Sequence, residues 1–157
     1  MQTPRNEEPA IDIRLANRTD LPTIIQLLRR DSLSPPAQQS GPSDEQVRAF
    51  DTIAGHPDNE IVVATVREDV VTTLQITFIP GLTHQGGWRT QVEAVRVRED
   101  LRNQRIGTRL MEWVIERARE RNCRLVQLTT NRARVDAQRF YEQLGFTPSH
   151  VGMKLHL

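Results

Sequence analysis

Val95-Arg96-Val97-Arg98-Glu99-Asp100-Leu101-Arg102-Asn103-Gln104-Arg105-Ile106-Gly107-Thr108-Arg109-Leu110 is the stretch whose reading decides the fold. Its β-branched start reads as the end of a strand. A short basic loop follows, and the apolar spacing of Ile106, Leu110, Trp113, Val114 and Ala118 predicts a helix that runs towards Arg121. The first turn of a helix carries unpaired N–H groups and the positive end of the helix dipole, so a basic loop opening a helix suits a phosphate group. Gly107 lets the backbone approach a ligand, and Arg102, Arg105 and Arg109 add positive charge. On their own, these features more often describe a solvated basic face. A P-loop needs a lysine, which is absent from this stretch, and a dinucleotide fingerprint needs three glycines where only Gly107 is present.

Outward from this stretch, alternation at Ile11, Ile13 and Leu15 predicts a first strand. Thr19 or Asp20 is a candidate helix cap, Pro22 fits an early helical position, and Leu21, Ile24, Ile25, Leu27 and Leu28 form an apolar helical face. Ser32 to Pro42 reads as a loop and a candidate rim of an acceptor pocket. Ser43 with Gln46 forms a candidate capping box for a helix ending near Ala54. Ile61–Val66 and Val70–Ile79 are β-branched runs joined at Glu68-Asp69, a hairpin pattern. Trp88–Arg98 is a third extended stretch, Leu125–Thr130 a short buried strand, Arg134–Leu144 a helix stopped by Gly145, and Val151–Leu157 a last strand. The order predicts one mixed α/β domain over residues 1–157: a central, mostly antiparallel sheet, a parallel β-α-β crossover from Val92 to Thr130, and helices on both faces. Residues 1–10 read as a flexible tail.

The pieces together resemble the GCN5-related N-acetyltransferase (GNAT) superfamily. Arg102-Asn103-Gln104-Arg105-Ile106-Gly107 matches that family's Arg/Gln-x-x-Gly-x-Gly/Ala after a strand, and Phe140-Tyr141-Glu142-Gln143-Leu144-Gly145-Phe146 matches its Phe-Tyr pair followed by Leu-Gly-Phe. Arg105 departs from the pattern, standing where the family has its first glycine. It is expected to fit if its backbone keeps helical angles and its side chain turns outward. The resemblance implies acetyl-CoA as cosubstrate. The backbone of the Val95-Arg96-Val97 strand would pair with the pantetheine arm through Val95 and Val97. The N–H groups of Asn103, Gln104, Arg105, Ile106, Gly107 and Thr108 would hold the pyrophosphate beside Arg102. Asn131, Ala137, Phe140 and Tyr141 would line the rest of the CoA site.

Acyl transfer to an amine requires one proton to leave the attacking nitrogen and one to reach the departing thiolate. Glu93, two residues before Val95 and expected on the same strand face, is the candidate base, acting through a water. Tyr141, the chain's only tyrosine, is the candidate acid in the context of that resemblance; without it, the residue reads as a core aromatic. His84 and Trp88 flank a glycine pair and are candidates to face the acceptor. His56, His150 and His156 lack ligand spacing, Gln75 is a polar residue in an apolar strand, and Cys123 reads as buried filler.

Composition sets the remaining bounds. A net charge of +1 gives no field that calls for nucleic acid or an anionic membrane. One cysteine excludes an internal disulfide and argues against structural zinc, so no metal is expected. Without a secretory pattern or a long apolar run, a cytoplasmic protein is expected. The reading is direct acetyl transfer to the primary amine of a small molecule or peptide, with a homodimer left open. The alternative is a non-catalytic acyl-CoA-binding or protein-interaction module.

Overall fold

The computed structural model describes residues 9–30 and 41–157. The tail expected over residues 1–10 and the loop expected over 32–42 therefore lie largely outside the described residues. Five strands form one sheet in sequence order: β1 (Asp12–Leu15), β2 (Asn59–Val66), β3 (Asp69–Ile79), β4 (Trp88–Val97) and β5 (Cys123–Leu128). The first four pair antiparallel, and β5 runs parallel to β4. The described residues also form α1 (Leu21–Arg30), α2 (Asp44–Ala54), a single left-handed turn α3 (Thr83–Gly86, with His84 and Gln85 at φ of +52° and +59°), α4 (Ile106–Glu120) and α5 (Val135–Gln143).

The sheet is covered on both faces. On one, Leu21, Ile24 and Ile25 of α1 and Phe50 of α2 pack with Val63. On the other, Leu110, Met111 and Val114 of α4 pack with Val62, Leu74, Ile76, Phe78 and Val92. Alternation along the strands sends these residues to opposite faces, as the pleat requires.

Local chemistry explains where the elements begin and turn. Ser43 caps α2 in a reciprocal box: its N–H donates to Gln46 Oε1 at 2.9 Å, and its Oγ accepts from Gln46 N at 3.3 Å. The turn before α1 is capped by Asn17 rather than by Thr19 or Asp20, because Asp20 occupies the return position of that box and accepts the Asn17 N–H at 2.8 Å. The β2–β3 turn is Arg67-Glu68, one residue earlier than the pattern suggested. Both residues have positive φ (49° and 72°), the hand that matches hairpin twist. β5 begins at Cys123, so this half-buried cysteine lies within the strand rather than before it.

The expected last strand does not form. Residues 151–157 belong to no described sheet, and Val151, Met153, Leu155 and Leu157 are exposed. The alternation is real, but no described strand pairs with it.

Two ion pairs tie helices to strands. Arg117 of α4 grips Glu60 of β2, which is only 8% exposed, and that hydrogen bonding raises the Arg117 pKa. Arg14 of β1 holds Asp20 through two bonds of 2.7 and 2.9 Å. The Arg14 guanidinium and the Asn17 N–H keep the Asp20 carboxyl below its ordinary 3.8. A depressed folded pKa gives stability that is present above the unfolded value and lost as pH falls through the folded one. Asp20→Asn should therefore lower unfolding stability by about 1–3 kcal/mol at neutral pH. In chemical denaturation run as a pH series, the gap to the parent should narrow below about pH 4.

Candidate functional site

β4 carries one residue more than its partner. Gln75 faces Glu93 and Thr73 faces Arg96, so Leu74 opposes both Ala94 and Val95. Ala94 takes φ of +55° at this bulge. An extra residue kinks a strand and interrupts its alternation. Val92 is buried and Val95 packs on the same core cluster, whereas Glu93 and Ala94 are both exposed. The expectation that Glu93 and Val95 share a face is thus corrected, because the bulge lies between them. Glu93 sits opposite Gln75, on the face covered by α1.

The bulge also opens the sheet. The β4–β5 pairing ends at Val92 and Leu128, while β4 continues to Val97. Arg98 N donates to Val71 O at 2.8 Å. By alternation Arg96 turns its backbone groups to β3, and Val95 and Val97 turn theirs to the open side. Their carbonyls accept from side chains there: Arg96 Nη1 bonds Val95 O at 2.9 Å and Arg102 Nε bonds Val97 O at 3.4 Å. An extended amide-bearing chain fits this edge as an added strand would.

The basic loop follows. Arg102, Asn103, Gln104 and Arg105 are exposed, and Ile106 is buried at the start of α4. Asn103 and Arg105 have φ of +63° and +60°. Arg105 therefore does not keep helical angles, correcting the expectation. It takes the left-handed conformation for which glycine is suited, at a cost of about 1–2 kcal/mol. Left-handed residues within such a turn aim successive N–H groups into an anion-binding concavity. Leu27, Arg30, Val97, Arg98, Glu99 and Arg102 line a separate hollow between the end of α1 and the end of β4. Arg98 is held by Asp100 at 2.7 and 3.1 Å, and Gln104 Nε2 bonds Asp100 O at 3.1 Å. Arg109 reaches Pro9 O at 3.0 Å instead of joining the loop.

Gly107 has a packing role that the sequence reading missed. A Cβ there would stand 3.3 Å from Phe140 Cζ and 3.6 Å from Val97 Cγ2. Its bareness thus lets α5 close on the first turn of α4. Thr108 lies half-buried in that turn.

On α5, Ala137, Phe140 and Tyr141 are half-buried. Leu144-Gly145-Phe146 has a specific consequence for Tyr141. Gly145, at φ +92°, donates to Glu142 O at 2.9 Å, and Phe146 N donates to Tyr141 O at 3.0 Å. This is a Schellman cap, whose usual apolar contact is here the Tyr141–Phe146 ring pair, 5.8 Å apart and edge-to-face. Phe140 packs on the other side of Tyr141 at 5.1 Å. Burial raises the Tyr141 pKa above its ordinary 10.0, while Arg134 and Arg96 act against that shift. The hydroxyl is therefore protonated at neutral pH. Asn131 uses its Oδ1 to accept from Ala133 N at 2.9 Å, shaping the turn into α5.

The sequence reading did not single out Gln91 and Gln127, which bond at 2.7 Å. Register puts Gln127, Gln91 and Thr77 in one row, with Gln75 and Glu93 in the next, on one face of the sheet. The signal was available as polar residues at alternate positions in otherwise apolar strands. His84 and Trp88 lie at the other end of β4. Trp88 precedes Glu93 by five residues, about 17 Å of strand. Among the described residues, no group of three His, Cys, Asp or Glu side chains could hold a metal ion, and no helix is long and apolar enough to cross a membrane.

Comparison with known proteins bears on the family and the fold. An aminoalkylphosphonate N-acetyltransferase of Salmonella typhimurium is 37% identical over 67 residues, a match spanning 43% of this chain and 44% of that protein. The crystal structure of a transcriptional regulator from Bacillus halodurans is similar at 45% identity and a TM-score of 0.89, covering 94% of this chain and 100% of that one. An acetyltransferase of Clostridium acetobutylicum, solved with acetyl-CoA, shares the fold at 18% identity and a TM-score of 0.73, covering 94% and 96%. A model of the Acetyltransferase (GNAT) family matches residues 22–146. The chain belongs to the Acetyltransferase (GNAT) family.

Proposed function

We propose that this protein transfers an acetyl group directly from acetyl-CoA to a primary amine of a small molecule, without a covalent enzyme intermediate. The observation that carries this reading is the opened β4 edge, running from the bulge at Ala94 into the left-handed loop at Asn103–Arg105 and flanked by the capped Tyr141. The Val95 and Val97 backbone would align the pantetheine arm, and the N–H groups of residues 103–108 would hold the pyrophosphate, with Arg102 alongside. Phe140 and Ala137 would cover the arm from α5, and Asn131 would shape the loop beside it. The thioester then lies between Tyr141 and the polar rows of the sheet.

In this arrangement the amine nitrogen attacks the thioester carbonyl, and Glu93 accepts the amine's proton through a water. Tyr141 donates its proton to the sulfur as the C–S bond breaks. A protonated Tyr141 hydroxyl suits that step. Gln75, Gln91 and Gln127 offer amide groups to a polar acceptor. The Salmonella relative makes aminoalkylphosphonates one class to include in an acceptor screen, together with amino sugars, aminoglycosides and peptide amines. Thiol release from acetyl-CoA reads that screen, and absence of release with every amine would defeat the reading. The likeness to a transcriptional regulator favours a second reading: acyl-CoA binding without turnover. That reading expects ligand-induced stabilisation with no thiol release.

CoA should raise the melting temperature with the logarithm of its concentration above Kd, adding about 2.7 kcal/mol of stability at one hundred times Kd. Gly107→Ala should retain most of that binding, because Phe140 needs to give by only a few tenths of an ångström. Gly107→Glu should displace Phe140 and place a negative charge beside the phosphate loop, abolishing the thermal shift; an undiminished shift would place the pyrophosphate elsewhere.

Tyr141→Phe keeps the ring pairs and should lower kcat by about 10²–10⁴-fold, with acetyl-CoA binding nearly unchanged. In the parent, the alkaline limb due to Tyr141 should lie above pH 10. Glu93→Gln should lose most activity at low pH, where the acceptor amine is protonated, and recover as pH approaches the amine's own pKa. A parental rate and pH profile would assign the base elsewhere; His84, at the far end of β4, is a poor substitute.

A further inference from the structure

The bulge in β4 changes which side chain stands next to Glu93. In a regular strand Val95 would take the next position on that face. The register instead pairs Glu93 with Gln75 and Arg96 with Thr73, two residues apart on β3. Through β2 these rows continue to Ile61 and Val63, which pack with the apolar residues of α1 and α2. Glu93 and Arg96 therefore occupy successive positions on the α1 face, about 7 Å apart along the sheet. Val95 goes to the core under α4. One inserted residue thus exchanges a valine for a guanidinium beside the proposed base.

The surroundings favour an anion there. α1, which contacts β3 and β4 on this face, holds no Asp or Glu and ends in Arg29-Arg30. In β3, β4 and β5 the carboxylates are Glu93 and Asp69, and Asp69 stands at the hairpin end of β3. Arg98, beyond the end of β4, is held by Asp100 at 2.7 and 3.1 Å. Arg96 is half-buried, and its Nη1 donates to Val95 O at 2.9 Å, which keeps the guanidinium along the opened edge. Its charge is felt at the Tyr141 hydroxyl, so it stands near the place given to the thioester. A guanidinium carries five N–H donors in a planar fork that matches carboxylate and phosphate oxygens.

We propose that the acceptor is an amine with an anionic group, carboxylate or phosphate, on the same short carbon chain, and that Arg96 holds the anion while Glu93 serves the amine. The anion is anchored at one position of β4, and the nitrogen falls at the next, facing the thioester. The N–C bond forms and the C–S bond breaks. The amine's proton passes through a water to Glu93, the thiolate takes the Tyr141 proton, and Arg96 exchanges none. A neutral amine reaches the same carbonyl without the anchor. This inference rests on the acetyl-transfer reading and adds the class of acceptor to it.

Thiol release from acetyl-CoA tests it with amines paired by skeleton: β-alanine against β-alaninamide, and 2-aminoethyl phosphate against ethanolamine. At equal concentrations of unprotonated amine, kcat/KM should favour the anionic member by about 10–100-fold, mainly through KM. Preference in both pairs assigns the site to either anion, and preference in one pair assigns it to that anion. Arg96→Gln should collapse the ratio towards one, and Arg96→Lys should restore part of it. A CoA-induced thermal shift checks that both variants fold, and the parent's own ratio decides if either does not. Equal rates within both pairs, faster release with the neutral amines, or a ratio that survives Arg96→Gln would overturn the proposal and leave acetyl transfer standing. No release with any amine would defeat the acetyl-transfer reading itself.

Discussion

One extra residue in β4 sets the geometry on which the rest of the site depends. A parallel neighbour would ordinarily follow β4 to its end. With Ala94 forced to φ +55°, pairing to β5 stops at Val92, and the last turns of the strand present backbone groups to open space. A left-handed alanine costs about 1–2 kcal/mol, and surrounding packing has to hold it in place. That packing is present: Val92 and Val95 are anchored in the core on either side of the bulge, and Arg98 N is fixed to Val71 O.

The two helices that border this opening are placed by separate devices with a shared contact. α4 starts where the loop of left-handed residues ends, and Gly107 leaves room for Phe140 at that turn. α5 stops at Gly145, whose cap brings the Phe146 ring against Tyr141. Leu-Gly-Phe is therefore more than a stop signal: by ending the helix it orients the tyrosine at the C3 position, and the same cap half-buries its hydroxyl-bearing ring. The polar rows of Gln75, Glu93, Gln91 and Gln127 lie on the opposite face of the sheet from the core beneath α4.

Much of this was legible in the sequence because particular side chains announce it. Ser43 and Gln46 specify their capping box, Gly145 its helix stop, and the β-branched runs of β2 and β3 their hairpin. The bulge was not legible, since alanine has no preference for positive φ and Glu93-Ala94-Val95 reads as plain alternation. Arg105 misled for a related reason: an arginine at a left-handed position carries no local signal, so the demand of the loop overrode residue preference. Gly107 was assigned to ligand approach because its partner, Phe140, is distant in sequence. Residues 151–157 have the pattern of a strand but none of the pairing, because alternation specifies a face and cannot supply a neighbouring edge.

The proposed acetyl-CoA cradle is the opened edge of β4 together with the loop after it. Residue-resolved amide hydrogen exchange, with and without acetyl-CoA, tests it most directly, since those N–H groups are the ones said to be bonded. Slowed exchange is expected at Val95, Val97 and residues 103–108, with β1 and the turn at Thr83–Gly86 unchanged. Protection confined to other elements, with Val95 and Val97 exchanging at their free rates under saturating ligand, would contradict it.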